Sequence, residues 1–312
     1  MTTSGEAEKA IQVLKNGGLI GLPTETVYGL AAAIDQPLAI EKIFKVKERP
    51  FFDPLIVHVS SVEQAKNICF AFPEIATSLV QKFWPGPLTL VLKSKNVNPM
   101  ITAGLDTVAV RMPDHPLALK IIEDFGAPLA APSANKFGKT SPTSAEHVKE
   151  NFPEIFVVDG GLCKVGLEST VLSLEEGALS ILRPGAVTAE MLKEFLRNHK
   201  GWSLGRRENR NSPGGLEHHY QPDIPLILFR ADQGPSSVQD KISELLKLKN
   251  PQGVELKLSL DPKIAARELY GKLRECSHSR ADFIYCFWHK EHYDGIWEAI
   301  TDRITKASTF TV

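Results

Sequence analysis

The chain has 312 residues, 43% hydrophobic and 23% charged, which fits one large globular domain and a smaller companion with a substantial core. A formal net charge of -1 excludes a protein that coats nucleic acid with a broadly basic surface, so any phosphate site has to be local. No apolar run approaches the length of a membrane span, and the four cysteines form no CxxC pair; with no secretory pattern at Met1 to Glu6, a reducing cytoplasm is the expected compartment.

Glu6 to Asn16 carries Ala7, Ala10, Ile11 and Leu14 at helical spacing and ends at Gly17-Gly18; a strand is expected at Leu19 to Leu22. The following Pro23-Thr24-Glu25-Thr26-Val27-Tyr28-Gly29-Leu30 fits either a polar rim or a solvated turn. Pro37 to Lys47 reads as a helix, and its terminal lysines complement the backbone dipole. Pro50-Phe-Phe-Asp53-Pro54 then bars helix, leaving Lys47 and Arg49 beside a loop, where cations suit phosphate. Leu55 to Val59 is a short strand whose single His58 has the ordinary reading of a hydrogen-bonded structural residue.

Helices are expected at Ser61 to Cys69 and Glu74 to Phe83, and Trp84-Pro-Gly-Pro87 redirects the chain into a strand at Leu88 to Leu92. Thr107 to Met112 is another strand, with Arg111 near its end; its planar fork fits carboxylate or phosphate, as it also fits an ordinary surface position. A helix at Leu117 to Phe125 leads to the apolar Pro128 to Pro132, which changes abruptly to Ser133, Asn135, Lys136, Gly138, Lys139, Thr140 and Ser141. Alone, this is an ordinary strand-to-turn junction. The same design, an apolar run with a polar or cationic tip, recurs at Leu19 to Leu30, Leu55 to Ser60 and Thr107 to Pro113, and strand ends are where open α/β sheets bind ligands.

A helix at Ser144 to Asn151 and a strand at Ile155 to Val158 precede Gly161 and Gly166, whose spacing suggests a phosphate loop; Leu167 and Glu168 stand where that loop needs Lys and Ser or Thr. Ser169 and Thr170 enter a strand at Val171 to Leu174, Arg183 ends another, and Thr188 caps a helix through Leu196. The expected organisation is a first domain over 1–197, a linker rich in Gly, Arg, Ser, His and Pro over 198–224, and a second α/β domain over 225–312. In that last part strands at Pro225 to Phe229, Val254 to Leu260 and Asp282 to His289 alternate with helices at Ser237 to Leu248, Ala265 to Cys276 and Ile296 to Ser308. His218-His219, His289 and His292 lack the partners of a metal site, and the cysteines read as small core residues.

Pro23 to Leu30, Lys47-Glu-Arg49-Pro50, Pro54 to Val59, Trp84 to Thr89, Val110 to Pro113, Ala131-Pro-Ser-Ala-Asn135, Gly166 to Val171 and Leu182 to Gly185 together resemble the two-domain threonylcarbamoyl-AMP synthases, whose first domain is of the YrdC type. Ser212-Pro-Gly214 with His219-Tyr220 and Pro222 resembles the family's linker, and Trp297 to Ala307 its closing helix. The resemblance implies a YrdC-like twisted open mixed sheet with helices, then a linker and a smaller Rossmann-like α/β domain. It implies synthesis of L-threonylcarbamoyl-AMP and pyrophosphate from L-threonine, bicarbonate and ATP, with magnesium on the nucleotide and no protein metal site. The product would pass to a threonylcarbamoyl transferase complex that modifies tRNA.

Carried onto this sequence, the resemblance makes Lys47 and Arg49 catalytic and assigns Lys47, Arg49, Asp53, Thr107, Ser133, Asn135, Ser141, Arg183 and the linker's Tyr220 to ATP; threonine falls to Thr26, His58, Arg111, Ala131 and Ser169. Two departures stand out: Asp53 replaces an expected asparagine, and Gly215 to His218 lack the usual larger, basic linker residues. A YrdC-like carbamoyltransferase of another pathway would keep the fold, but the cysteine clusters of such chains are absent. A double-stranded RNA-binding protein is the reading from another class; the near-neutral charge opposes it and is compatible only with weak, salt-sensitive RNA binding at a local cleft.

Overall fold

A computed structural model describes residues 4–175, 177–206, 219–230, 239–288 and 294–311. The chain divides into a first unit, Met1–Phe137 with Ser141–Gly215, and a second, Gly138–Thr140 with Leu216–Val312.

The first unit runs α1 (Ser4–Lys15), β1 (Ile20–Leu22), β2 (Gly29–Ala33), α2 (Pro37–Lys47), β3 (Ile56–His58), α3 (Val62–Ile68), α4 (Glu74–Phe83), β4 (Leu88–Lys93), α5 (Pro99–Thr102) and β5 (Thr107–Arg111). It continues through α6 (Pro116–Phe125), β6 (Leu129–Ala130), α7 (Ala145–Asn151), β7 (Phe156–Val157), β8 (Thr170–Glu175), β9 (Ala178–Arg183), α8 (Ala189–Leu196) and β10 (Ser203–Arg206). Its strands form one mixed sheet in the order β10-β9-β8-β4-β5-β3-β6-β2-β1-β7. Parallel pairs such as β3 with β5 and β4 with β8 are mixed with antiparallel ones such as β4 with β5. The open, mixed, helix-flanked sheet is the architecture expected.

Burial on both faces explains the sheet's composition. Successive residues of a strand point to opposite faces. Accordingly, Leu30 and Ala32 of β2 join the core with α2 and α4, while Ala31 and Ala33 join the core with α1 and α6. The helices between are set by local chemistry: Ser61, Ser144 and Thr188 cap α3, α7 and α8 by accepting from the amides of Gln64, His147 and Met191. Pro37 starts α2 without a side-chain cap.

In the second unit β11 (Leu226–Arg230), α9 (Gln239–Leu246), β12 (Gly253–Glu255), α10 (Pro262–Ser277), β13 (Phe283–Trp288), α11 (Ile296–Ala307) and β14 (Phe310–Thr311) build a four-stranded sheet ordered β12-β13-β11-β14. Every pairing in it is parallel, as in Rossmann-like folds. This unit also holds the three-residue segment Gly138–Thr140: the Gln221 amide donates to the Gly138 carbonyl at 2.7 Å, Lys139 pairs with Asp223 at 2.8 Å, and Arg274 donates to the Thr140 carbonyl at 2.6 Å.

Three expectations change. Ser203–Arg206, inside the expected linker, is β10 and pairs in parallel with β9, because its backbone completes the open edge of the first sheet. β12 is shorter than the expected strand at 254–260: it ends at Glu255, well before the Asp261 cap of α10. β2, α5 and β14 were not expected at all. Gly215 to His218, His289 and His292 lie outside the described residues.

Candidate active site

A water-soluble core seldom buries ions. Among the described residues, the first unit nevertheless buries Lys47, Arg49, Arg111 and Arg183 together with Glu25, Asp53 and Glu168, four cations against three carboxylates, and also His58.

The cation limb begins where α2 stops. Its C-cap, Glu48, is left-handed at φ 56°, and this reversal lets both Lys47 and Arg49 turn inward while Glu48 pairs outside with Lys136 at 2.6 Å. Lys47 Nζ donates to the Ser133 carbonyl at 2.6 Å and to the Asn135 carbonyl. Asn135 is held in turn by its Nδ2, which donates to the Lys136 carbonyl. Arg49 donates through Nε to the Asp53 carbonyl at 3.2 Å and through Nη2 to the Pro54 carbonyl at 2.9 Å, and it ion-pairs with the Asp53 carboxylate at 2.9 Å. Thr107 occupies the first position of β5, half-buried and four residues before Arg111. The strand rise separates these two by about 13 Å.

The second limb centres on Arg111, whose neighbour across the β3–β5 pair is His58. The guanidinium donates through Nη1 to Thr26 Oγ1 at 2.8 Å and through Nε to the Gly86 carbonyl at 3.2 Å, and Nη2 meets Glu25 at 2.6 Å. These contacts occupy three of its five N–H groups. Thr26 is fixed from behind by Thr24 at 2.8 Å, and Thr24 Oγ1 also donates to the Val27 carbonyl. Ala131 lines the approach to Gly29, where a Cβ would come within 3.0 Å of the Ala131 methyl.

Strands β8 and β9 bring the remaining groups. Arg183 donates to the Ser169 carbonyl through Nε and Nη2 at 3.1 and 2.9 Å, and to Ser169 Oγ at 3.2 Å; Ser169 Oγ also meets Thr89 Oγ1 at 2.7 Å. Ser141 donates to Glu168 at 2.6 Å. Gly185 lets the two loops touch, since a Cβ there would lie 2.4 Å from the Thr170 amide nitrogen and 2.7 Å from the Glu168 carbonyl.

Burial governs the titrations. It pushes Lys47 well below the ordinary lysine value, with Arg49 and Lys136 adding to the shift and Asp53 opposing it. It raises Asp53 against the pull of Arg49, Lys47 and Arg183. His58 falls to about 3, from burial first and the Arg111 charge second, so its ring is neutral. Cys69, Cys163 and Cys286 are buried thiols pushed up to about 11, 12 and 12, which leaves no thiolate nucleophile among them.

Of the residues singled out in the sequence, Lys47, Ser133 and Asn135 are directly bonded, as are Arg49 with Asp53, Arg111 with Thr26, and Arg183 with Ser169. Tyr220 belongs to the second unit, buried with its ring edge-on to His219 at 4.1 Å, 5.8 Å from Tyr270 and under the Arg303 guanidinium at 5.2 Å. The sequence reading assigned no role to Glu25, Glu168, Thr24 or Thr89. The available signal was an acid inside an otherwise apolar or hydroxyl-bearing run, as at Glu25 between two threonines and Glu168 after Leu167.

A family model described as "Telomere recombination", covering the Sua5, YciO and YrdC proteins, matches residues 12–185. A model of the threonylcarbamoyl-AMP synthase C-terminal domain matches residues 187–309. The threonylcarbamoyl-AMP synthase of Bacillus subtilis is 37% identical over 333 residues, covering 98% of this chain and 94% of its own. That of Pyrococcus abyssi is 38% identical over 320 residues, covering 96% and 93%. A crystal structure of P. abyssi Sua5 complexed with L-threonine superimposes with a TM-score of 0.84 at 36% identity, over 98% of this chain and 96% of that one.

Proposed function

The chain belongs to the threonylcarbamoyl-AMP synthase family, and we propose that its buried charge cluster joins L-threonine, bicarbonate and ATP into L-threonylcarbamoyl-AMP and pyrophosphate. The observation that carries this reading is the net cationic set of buried side chains beside hydroxyl and carbonyl groups, in a chain whose overall charge is -1.

The threonine amine forms a C–N bond to dissolved carbon dioxide with loss of a proton, or to bicarbonate with loss of water, and so becomes a carbamate. A carbamate oxygen then attacks the α-phosphorus of ATP, forming the new P–O bond as the bond to pyrophosphate breaks. Two anions must meet, so the protein's task is alignment and charge neutralisation. Lys47, Arg49 and Arg183 balance the phosphates, and Ser133, Asn135, Ser141 and Thr107 supply hydrogen bonds. Arg111 takes the threonine carboxylate, while Thr26, His58, Ser169 and Ala131 line the amino acid. Neutral His58 accepts or donates a single hydrogen bond without adding charge beside Arg111.

Magnesium fits this donor set as an ion carried by the nucleotide. No group of three or more His, Cys, Asp or Glu that could hold a metal lies among the described residues, and Mg²⁺ commonly keeps phosphate and water as most of its ligands. When bound, it screens the triphosphate charge. The adenylate would be consumed by a transferase complex that modifies tRNA in the cytoplasm; no helix among the described residues is long and apolar enough to cross a membrane.

The test is pyrophosphate release from ATP by the full chain, with threonine and bicarbonate each present or omitted and the product weighed by mass spectrometry. Release that needs both, with the mass of threonylcarbamoyl-adenylate, is expected. Release without threonine would mean a different acceptor.

A further inference from the structure

Asp53 sits where an anion-binding site should least want it. Its side chain is 3% exposed, its carboxylate lies 2.9 Å from Arg49 Nη2, and the charges that face it are Arg49 itself, Lys47 from α2 and Arg183 from β9. A carboxylate there could serve to hold Arg49 in posture. Yet Arg49 is already positioned by two neutral acceptors, the carbonyls of Asp53 and Pro54 at 3.2 and 2.9 Å, which fix its Nε and Nη2 edge without any charge. What the carboxylate adds is negative charge against three cations.

Given the reading of Lys47, Arg49 and Arg183 as the phosphate site, we propose that Asp53 is a displaceable counter-ion, which occupies the anion seat of Arg49 in the free protein and yields it to the triphosphate of ATP. The carboxylate neutralises part of the cation cluster while no substrate is bound, and it opposes every polyanion that enters. It therefore weakens ATP binding and equally weakens the hold on pyrophosphate, the product that has to leave. Burial already raises the Asp53 carboxyl, and phosphate charge raises it further, so its protonated form is favoured in the complex. The opposition consequently fades as pH falls.

Asp53→Asn keeps the shape and removes the charge. We expect it to bind magnesium ATP, without threonine present, about tenfold more tightly than the wild type on the alkaline side, a shift equivalent to about one pKa unit of interaction. Inorganic pyrophosphate should gain similarly. The ratio of the two proteins' affinities should shrink towards unity as pH falls from about 8 to about 4.5, a comparison in which the titration of Lys47 largely cancels. An Asp53→Asn protein that binds ATP no tighter, or a ratio constant with pH, overturns the proposal. So does failure of both Asp53→Asn and Asp53→Ser to fold, because the carboxylate would then be needed to hold Arg49. Lys47→Ala separates the two levels: unchanged ATP binding in that variant refutes the phosphate site and this role with it, whereas weakened binding there beside unchanged binding in Asp53→Asn refutes only the counter-ion.

Discussion

The two units share an architecture of helices packed on a sheet, yet they treat charge in opposite ways. Among the described residues, the second unit buries one ion, Arg303, which pairs with the adjacent Asp302 and covers the Tyr220 ring. The first unit buries seven ionic groups, joined by a long-range pair, Arg111 with Glu25, and by a local one, Arg49 with Asp53. Burying an ion costs several kcal/mol before any partner compensates. The second unit builds its core without such a concentration of ions, so their presence in the first is what the proposed reaction site accounts for.

The sharpest way to test that contrast is to damage each unit where it is fully buried. Lys47→Ala removes a cation of the proposed phosphate site and should lower the rate of pyrophosphate release by roughly 10²–10³-fold, the scale of one lost electrostatic contact to a transition state. Leu269→Ala, in the core of the second unit, should cost about 2–5 kcal/mol of stability through its cavity. The rate per folded molecule, from the same assay on material quantified by its unfolding transition, should be retained. Equal losses of rate in the two variants would erase the distinction.

Glu25→Ala sharpens the comparison within the first unit. It leaves Arg111 buried beside no carboxylate, and breaking a buried pair in this way costs about 3–5 kcal/mol. Denaturant unfolding measures that loss. Glu25→Gln keeps a hydrogen-bonding partner and should restore much of the stability, while the threonine KM shifts and the ATP Kd does not. An ATP Kd that moves with Glu25 would mean that the two limbs are not separable.

Gly185→Ala should have a smaller effect. The added methyl meets the Thr170 backbone at 2.4 Å, so the β8 and β9 loops must part, for about 1–3 kcal/mol of overpacking strain. Because Arg183 is bonded to Ser169 across that contact, ATP affinity should fall as well. Unchanged affinity would show that the loops move without carrying Arg183.

How much of this was legible in the sequence depended on whether the signal was local. α2 announced itself through Pro37 and the spacing of Ile40, Ile43 and Phe44, and the Thr188 cap was readable because capping involves residues three apart. β2 was not, since Gly-Leu-Ala-Ala-Ala is buried on both faces and shows no alternation. β10 was hidden by its polar, Gly-containing sequence, because an edge strand needs no apolar residues to pair. The cations of the site stood at the tips of apolar runs and could be found there. Asp53, four residues from Arg49, could be found as well, but Glu25 and Glu168 could not, because nothing local connects Glu25 to Arg111 or Glu168 to Ser141; only the fold pairs them.

At neutral pH the least effect is expected at His58, whose contribution changes only on the acid side, and it separates solvation from chemistry. Its folded value of about 3 lies below the ordinary histidine value of about 6.5, so the protonated form is disfavoured in the folded state. The stability it contributes is then complete above the ordinary value and is lost as pH falls towards about 3, where the unfolded chain binds a proton that the folded one refuses. His58→Asn cannot titrate, and it should flatten the acid side of the stability profile measured by denaturant midpoints. The wild-type threonine KM should show no inflection at the ordinary histidine value, because the folded ring is neutral there. A KM inflection there that vanishes in His58→Asn would show that His58 carries a proton at the site, and that solvent reaches the threonine limb far more freely than its burial implies.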